Sequence, residues 1–481
     1  MVRNVAAVTV SVLAAALVSS VGATANAPAS GTGAAVAGAF TEVRVASFGV
    51  EPSIITGPDG SLYMSVPGLD GPDFYRSIDR GTNWTQGATA DAASGAGGDD
   101  GLATDTSGAI FEVNMTTNTR RREIYAADVY RSSDDGGSWG QRGRAAQGDG
   151  SSTLPEDRPW IGAWLKPGDP PNKTRVYLVY RDLVSSGIWV AISSDAGAHF
   201  GPPIPIVTSP LAVQATACIG LPGGVQVVST GRHAGRVYVA WTGGDAATDA
   251  ATGCYFTMLN AAHTVWVAWS DDGGLTWSNH LVYDAGVGHD TSGVFARLAL
   301  DDQGNPYVAF AANLAGEYDV YVEASFDGGR RWNGGRLGLA APIKASVGKG
   351  THLFPAIAAG DPGKVDVAYI ATPTVVPLLP NGKPAPGAGN GASWSVFVAQ
   401  TLDLRSHPTW QTFAVTPEPI HMGDVCIEGG FCGDDMNKGD RSLGDFIDMT
   451  VDHFGFAHVA YADTRRRGLY EANQLAGPAI L

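Results

Sequence analysis

Positive charge is scarce in this chain. Its 31 Lys and Arg residues stand against 47 Asp and Glu, a formal net charge of −16 over 481 residues. That balance excludes nucleic acid and anionic membrane surfaces as partners, since both recruit basic patches. Charged residues of either sign amount to only 16%, beside 64 glycines. Such a composition fits many short strands joined by turns. Helical periodicity is missing beyond the N-terminal segment, so no helix follows a glycine-rich loop in the way a phosphate cradle requires. The ten histidines include no pair with metal-ligand spacing, and no Ser-His-Asp set is defined by position. Long apolar runs are lacking too, apart from Val5 to Val18.

That run follows Arg3 and precedes the small residues Ala23-Thr24-Ala25-Asn26-Ala27. It is short for a membrane span and has the layout of a secretory signal. Residues 1–25 are the predicted signal, cleaved after Ala25 because Pro28 would sit directly beyond a cut at Ala27. Residues 26–39 form an Ala/Gly/Ser-rich linker, and 40–481 a single domain. The expected product is secreted, monomeric and free of the membrane once the signal is removed. Cysteine is limited to four. In an exported chain an even count implies two disulfides, Cys426 with Cys432 and Cys218 with Cys254. No Cys-x-x-Cys spacing supports a metal site instead.

What the chain does have is one phrase written five times. Ser270-Asp271-Asp272-Gly273-Gly274-Leu275-Thr276-Trp277 shares a Ser-x-Asp-x-Gly-x-x-Trp frame with Ser132 to Trp139, Ser325 to Trp332 and Ser77 to Trp84. Ser193 to Phe200 repeats it with a Phe at the end. Repetition at long, variable spacing signals a repeat architecture. The Ser and the Asp accept hydrogen bonds from backbone N–H groups of the turn, and the Gly takes a positive φ. The terminal aromatic leads into the next strand and offers a large apolar face between neighbouring sheets. Asp79, Asp134, Asp195, Asp272 and Asp327 are therefore structural turn caps.

This motif is the Asp-box, and the chain resembles the Asp-box (BNR) repeat proteins of the sialidase-like β-propeller superfamily. Before each box comes a pair of strands split by a turn, as in Glu51-Pro52-Ser53-Ile54 and Leu62-Tyr63-Met64. Six units begin near Glu51, Asp100, Asp157, Gln214, Phe295 and His352. A seventh, beginning at Asp445, lacks an outer strand that Phe40 to Val45 can supply. The expected fold is all-β: a seven-bladed propeller of four-stranded antiparallel blades, closed by the N-terminal strand so that no sheet edge is left free. Six blades remain the alternative if two units near Asp100 or Cys218 are over-divided.

Strand alternation puts the five boxes on one face, with the starts of the inner strands and the ends of the second strands on the other. That opposite mouth receives Glu51, Asp100, Asp157, Arg158, Arg297, His352 and Asp445 from the first set. The second set supplies Arg181, Asp182, Glu317, Asp463 and Arg465. Trp160 and Trp241 are placed there to stack on sugar rings. The resemblance implies three Arg gripping a sugar carboxylate, a Tyr nucleophile activated by a Glu, and an Asp for acid–base work. Arg158, Arg297 and Arg465 are the candidate clamp, Tyr461 or Tyr180 with Glu51 the nucleophile pair, and Asp157 or Asp100 the acid. Asp100, Asp445 and Trp160 complete the candidate ligand-binding set. A Phe-Arg-Ile-Pro motif usually carries the first Arg of that family; here Glu51-Pro52-Ser53-Ile54 stands in its place.

The functional expectation is recognition, with or without hydrolysis, of an extracellular glycan at this mouth. The alternative is a non-catalytic extracellular propeller, a protein-binding or structural scaffold whose mouth charges simply pair and hold the blades in register. No cofactor is required by either. One loop, His421 to Asp445, is rich in oxygen ligands and glycine, so Asp434, Asp435 and Asp440 are candidates for calcium. Its spacing is not that of an EF-hand, and an acidic loop stapled by a disulfide is the competing reading.

Overall fold

A computed structural model describes residues 35–481 except 92–97, 119–122, 141, 147–155, 183–186, 245–261, 334–340, 386, 388, 407 and 428–439. The signal segment, residues 26–34 of the linker, Cys254, Cys432, Asp434 and Asp435 therefore lie outside the described residues. Cys218 and Cys426 are buried, and neither is a free thiol.

Each of the five Ser-x-Asp-x-Gly stretches folds into the same turn. The Ser hydroxyl accepts from the backbone N–H four residues on, at 2.9 Å for Gly81, Gly136 and Gly197 and 2.8 Å for Gly274 and Gly329. It also donates to the Asp, which accepts a second backbone N–H four residues beyond itself, as in Asp272 with Thr276 at 2.9 Å. Two successive residues take the left-handed region. In three copies the first of them is Arg80, Asp135 or Ala196, with φ of 58–59°, a conformation worth about 1–2 kcal/mol of strain that the turn's hydrogen bonds offset. The aromatics then pack inward: Trp277 and Trp332 are buried and donate to Gly274 O and Gly329 O. Trp139 meets Phe74 edge-on at 5.2 Å.

Strands on either side of these turns assemble into seven antiparallel sheets, six of four strands and one with an added short fifth. The inner strands are Ser53–Thr56, Asp100–Thr104, Glu156–Trp164, Gly220–Val227, Arg297–Leu300, Thr351–Ala359 and Asp448–Val451. The outer strand of the last blade is Phe40–Ala46, paired with Gly468–Gln474 from Phe40 opposite Gln474 onward. The chain is thus a seven-bladed propeller closed by its N-terminal strand, and the six-blade alternative falls. Apolar side chains on facing strands fill the wedges between blades; Trp241, fully buried, stacks on Trp266 at 5.9 Å. Trp241 therefore does not line the mouth, because its alternation directs it into a wedge.

Among the described residues two short helices depart from the strand-only expectation: the 3-10 turn Pro171–Lys173 and the α-helix Pro210–Thr216. The latter is capped by Ser209, whose side chain accepts from Ala212 N, with Pro210 in the first turn. Two turns are too short to show a helical period, but Ser-Pro is a start signal. This helix sits where a unit was expected to begin at Gln214; the inner strand starts at Gly220. Among the described residues no helix is long and apolar enough to cross a membrane.

Candidate functional site

Three inner strands have, just before or a few residues after their start, a left-handed residue that immediately precedes a proline: Glu51 (φ 53°), Arg158 (φ 52°) and Phe354 (φ 56°). A residue before proline is normally extended, so this backbone is strained. In blades 3 and 6 the strain accompanies a break in register, between Asp157 and Trp160 and between Leu353 and Ala356. The two charged members of the trio, Glu51 and Arg158, meet.

Arg158 lies at the centre of the mouth. Its guanidinium reaches Asp99 at 2.9 Å and Glu51 at 3.4 Å, and its backbone N–H donates to the other Asp99 oxygen at 3.1 Å. Arg441 approaches Glu51 from the opposite side at 3.3 Å and grips Asp445 with two bonds of 2.5 and 2.9 Å. The Asp445 N–H donates to Glu51 at 3.1 Å. Asp157 sits opposite Arg181 in the strand pairing. Glu51, Asp99, Asp157 and Asp445 thus share one small region with Arg158, Arg441 and Arg181. Burial pushes Glu51 up to about 8, with Arg158 opposing and Asp445 and Asp99 adding to the rise. Asp157 is raised by burial and by Asp99, against the pull of Arg181 and Arg158. Burial also pushes Asp100, 4% exposed and beside Ser65, up to about 7.

Beneath this cluster three rings close the axis. Trp160 stands 5.7 Å from Phe295 and 5.8 Å from Phe446, which are 6.0 Å from each other. Arg158 lies over Phe446 at 4.7 Å and Arg297 over Trp160 at 4.6 Å, geometry suited to cation–π attraction. Arg297 is paired with Asp448 at 2.6 Å. On the far side of the rings the inner strands enclose a channel of about 530 Å³, lined among others by Thr56, Leu102, Val225 and Ile357.

The mouth therefore gathers Glu51, Asp157, Arg158 and Asp445 as expected from topology, with Asp100, Trp160 and Arg297 just below. It does not gather the rest. Arg465 is 41% exposed by side chain and hydrogen-bonds Pro419 O at 3.0 Å. With Arg158 spent on Glu51 and Asp99 and Arg297 on Asp448, these three arginines do not form a clamp for a carboxylate. Tyr461 is fully buried and donates to Glu42, so it is not Glu51's partner; burial and the Glu42 charge hold its phenol well above the usual range. Tyr180 is buried in a wedge between blades, and His352 is buried against Asp319 at 3.2 Å. Asp463 pairs with Arg466 at 2.5 Å.

Asp99, Arg441, Phe446 and Asp448 were not foreseen. Their only sequence signal is adjacency: Asp99 precedes Asp100, and Arg441 stands four residues before Asp445. Among the described residues no group of three or more His, Cys, Asp or Glu side chains is arranged to hold a metal ion. Asp440, the described member of the calcium trio, is exposed and accepts from Ser442 N at 2.7 Å.

No protein-family model matches the chain, and comparison with curated proteins finds no relative. The solved structures that match are distant. A Dyadobacter fermentans protein of unknown function is 14% identical, covering 91% of this chain and 100% of its own, at a TM-score of 0.46. The intramolecular trans-sialidase of Ruminococcus gnavus is 13% identical over 90% and 96% of the two chains, at 0.42. An α-L-arabinanase of Penicillium chrysogenum is 14% identical over 76% and 99%, also at 0.42.

Proposed function

We propose that the chain is a secreted glycan-binding propeller that cleaves its ligand at this mouth by acid–base chemistry. One arrangement supports the reading above all: a buried glutamic acid, Glu51, pushed up to about 8 by burial, shares the Arg441 guanidinium with a second carboxyl, Asp445, whose backbone N–H it also accepts. Glycoside hydrolysis needs one carboxyl that is protonated at working pH and a second to assist attack at the anomeric carbon. Glu51 is assigned as the proton donor to the leaving oxygen. Asp445, in its ion pair with Arg441, is the second carboxyl, and Arg158 fixes the Glu51 orientation. The step consumes one water: the leaving oxygen takes the Glu51 proton, and Asp445 assists the water that attacks the anomeric carbon and gives up its own proton. The five braced turns fit an Asp-box lineage, and a sialoside is the one substrate class that the scattered arginines disfavour.

The test is turnover by purified mature protein on a panel of polysaccharides and a fluorogenic sialoside, with Glu51→Gln alongside. Loss of a general acid lowers the rate by about 10²–10⁴-fold. A parent that neither binds nor cleaves any glycan would overturn the proposal.

A second reading is favoured by the pairing of Arg158 with both Glu51 and Asp99. A mouth whose charges satisfy one another is a clasp between blades, and the propeller is then a non-catalytic scaffold. In that case Glu51→Gln shifts the melting temperature while the parent shows no turnover.

A further inference from the structure

The face that carries the five turns holds a feature at odds with the overall charge. Between blades 4 and 5 the turn bearing Arg232 and His233 approaches the turn Gln303-Gly304-Asn305 and the braced turn containing Phe326, Asp327, Gly328 and Arg330. Together they line a groove of about 280 Å³. In a chain of net charge −16 this groove has two exposed arginines on its rim. His233 lines the groove between them, its value lowered by partial burial and by Arg236, Arg232 and Arg330 against the pull of Asp271.

Their nearest acids are already engaged. Asp271 is held by two bonds from Arg236, at 2.6 and 2.8 Å. Asp327 caps its own turn, accepting from Ser325 and from the backbone of Arg330 and Arg331 at 2.9–3.0 Å, with the Arg331 side chain 4.0 Å away. Asp302 lies toward Asp301, Asp361 and Lys364 on the neighbouring turn. Among the described residues the Arg330 guanidinium donates to a carbonyl, Asp327 O at 3.2 Å, and to no carboxylate. Arg236 Nη1 donates to Gly328 O at 3.1 Å, a bond between the two blades that flank the groove. Its floor includes Phe326, half-buried, with Arg405 of blade 6 stacked over the ring at 4.5 Å.

We infer that this groove is a second binding site, for the sulfate or carboxylate substituents of an acidic polysaccharide. Two exposed arginines lining one concave surface match a multivalent oxyanion. The overall negative charge repels polyanions elsewhere on the surface, so binding is confined to the groove. The site lies on the face opposite the mouth and does not depend on any activity there.

Affinity electrophoresis of the mature protein in gels containing dextran sulfate, polygalacturonate or neutral dextran tests it. Retardation is expected in one or both acidic gels and not in dextran; which acidic gel retards tells sulfate from carboxylate. Arg232→Ala and Arg330→Ala should each weaken binding by roughly fivefold, the range of an exposed charge pair. Arg232→Glu/Arg330→Glu should abolish it, and added salt should weaken it throughout. Both positions are exposed, so melting temperatures should stay unchanged. No retardation of the parent, retardation of the double variant equal to the parent's, or equal retention of the parent by duplex DNA would each overturn the assignment.

Discussion

Tyr461, on the second strand of the last blade, donates its phenolic hydroxyl to Glu42, on the strand that arrives from the N-terminal end of the chain. Arg466 grips both Glu42 oxygens, at 2.7 and 2.9 Å, and also Asp463. A network spanning 419 residues of sequence thus fastens the ring where its two ends meet. Glu42→Ala leaves Arg466 and the phenol without their shared acceptor. We expect a loss of about 3 kcal/mol in urea unfolding, against about 1 kcal/mol for Tyr461→Phe, which keeps the ion pair. Equal stability of Glu42→Ala and the parent would show that the clasp contributes nothing.

A second seam fastener titrates. His458 is fully buried between Glu471 at 2.9 Å and Asp452 at 3.5 Å, and Arg80 of blade 1 reaches Asp452 at 2.7 Å. Burial disfavours the imidazolium, but the two carboxylates outweigh it and raise the His458 value above 6.5. The sign follows: the contribution is fully present below about pH 6.5 and disappears as pH rises through the folded-state value. His458→Gln should therefore cost more stability at pH 5.5 than at pH 9. A difference that is the same at both would refute the charged form.

Acids to which the described residues offer no opposite charge act in the same direction. Asp366 is fully buried and pushed up to about 7; Glu112 and Glu323 are raised well above their ordinary values by burial. The folded chain binds more protons than the unfolded one between about pH 4 and 7, so stability falls as pH rises through that window. Asp366→Asn should flatten the decline of melting temperature by several degrees between pH 4.5 and 7.5. A parent whose melting temperature rises over that interval would contradict the burial of neutral acids.

If the mouth is catalytic, its alkaline limb belongs to Glu51. A proton donor held up to about 8 leaves activity to decline above that pH. Glu51→Gln should remove the limb together with most of the rate. A limb that survives in residual Glu51→Gln activity would assign the titration elsewhere.

The braced turns offer a control on packing. A Cβ at Gly136, where φ is +81°, would come 2.0 Å from the Phe74 ring, whereas at Gly108, φ +84°, nothing lies within 4 Å. Gly108→Ala should cost about 1 kcal/mol of left-handed strain alone. Gly136→Ala adds a clash with a packed ring and should cost at least about 2 kcal/mol more. Equal midpoints in urea for the two variants would deny the wedge between blades 1 and 2.

The amino-acid order alone determined the repeat and its consequences. Five Ser-x-Asp-x-Gly turns are braced by bonds spanning four residues, a range over which chain order sets geometry, and alternation of apolar residues told strand pairs from loops. From those came the blade architecture, the closing strand and the face on which Glu51, Asp157, Arg158 and Asp445 meet. The pairings inside that face were decided by tertiary structure. Arg158 meets Glu51 across 107 residues, and Arg441 meets it across 390; nothing in sequence spacing fixes which acid a long, flexible guanidinium will choose. Tyr461 and Arg465 were drawn to the ring seam and the rim because burial and the nearest partner, Glu42 or Pro419, outweighed their nominal position at a strand end. The left-handed residues before Pro52 and Pro159 were equally hidden, since local preference disfavours them and only the packed ring holds them in place.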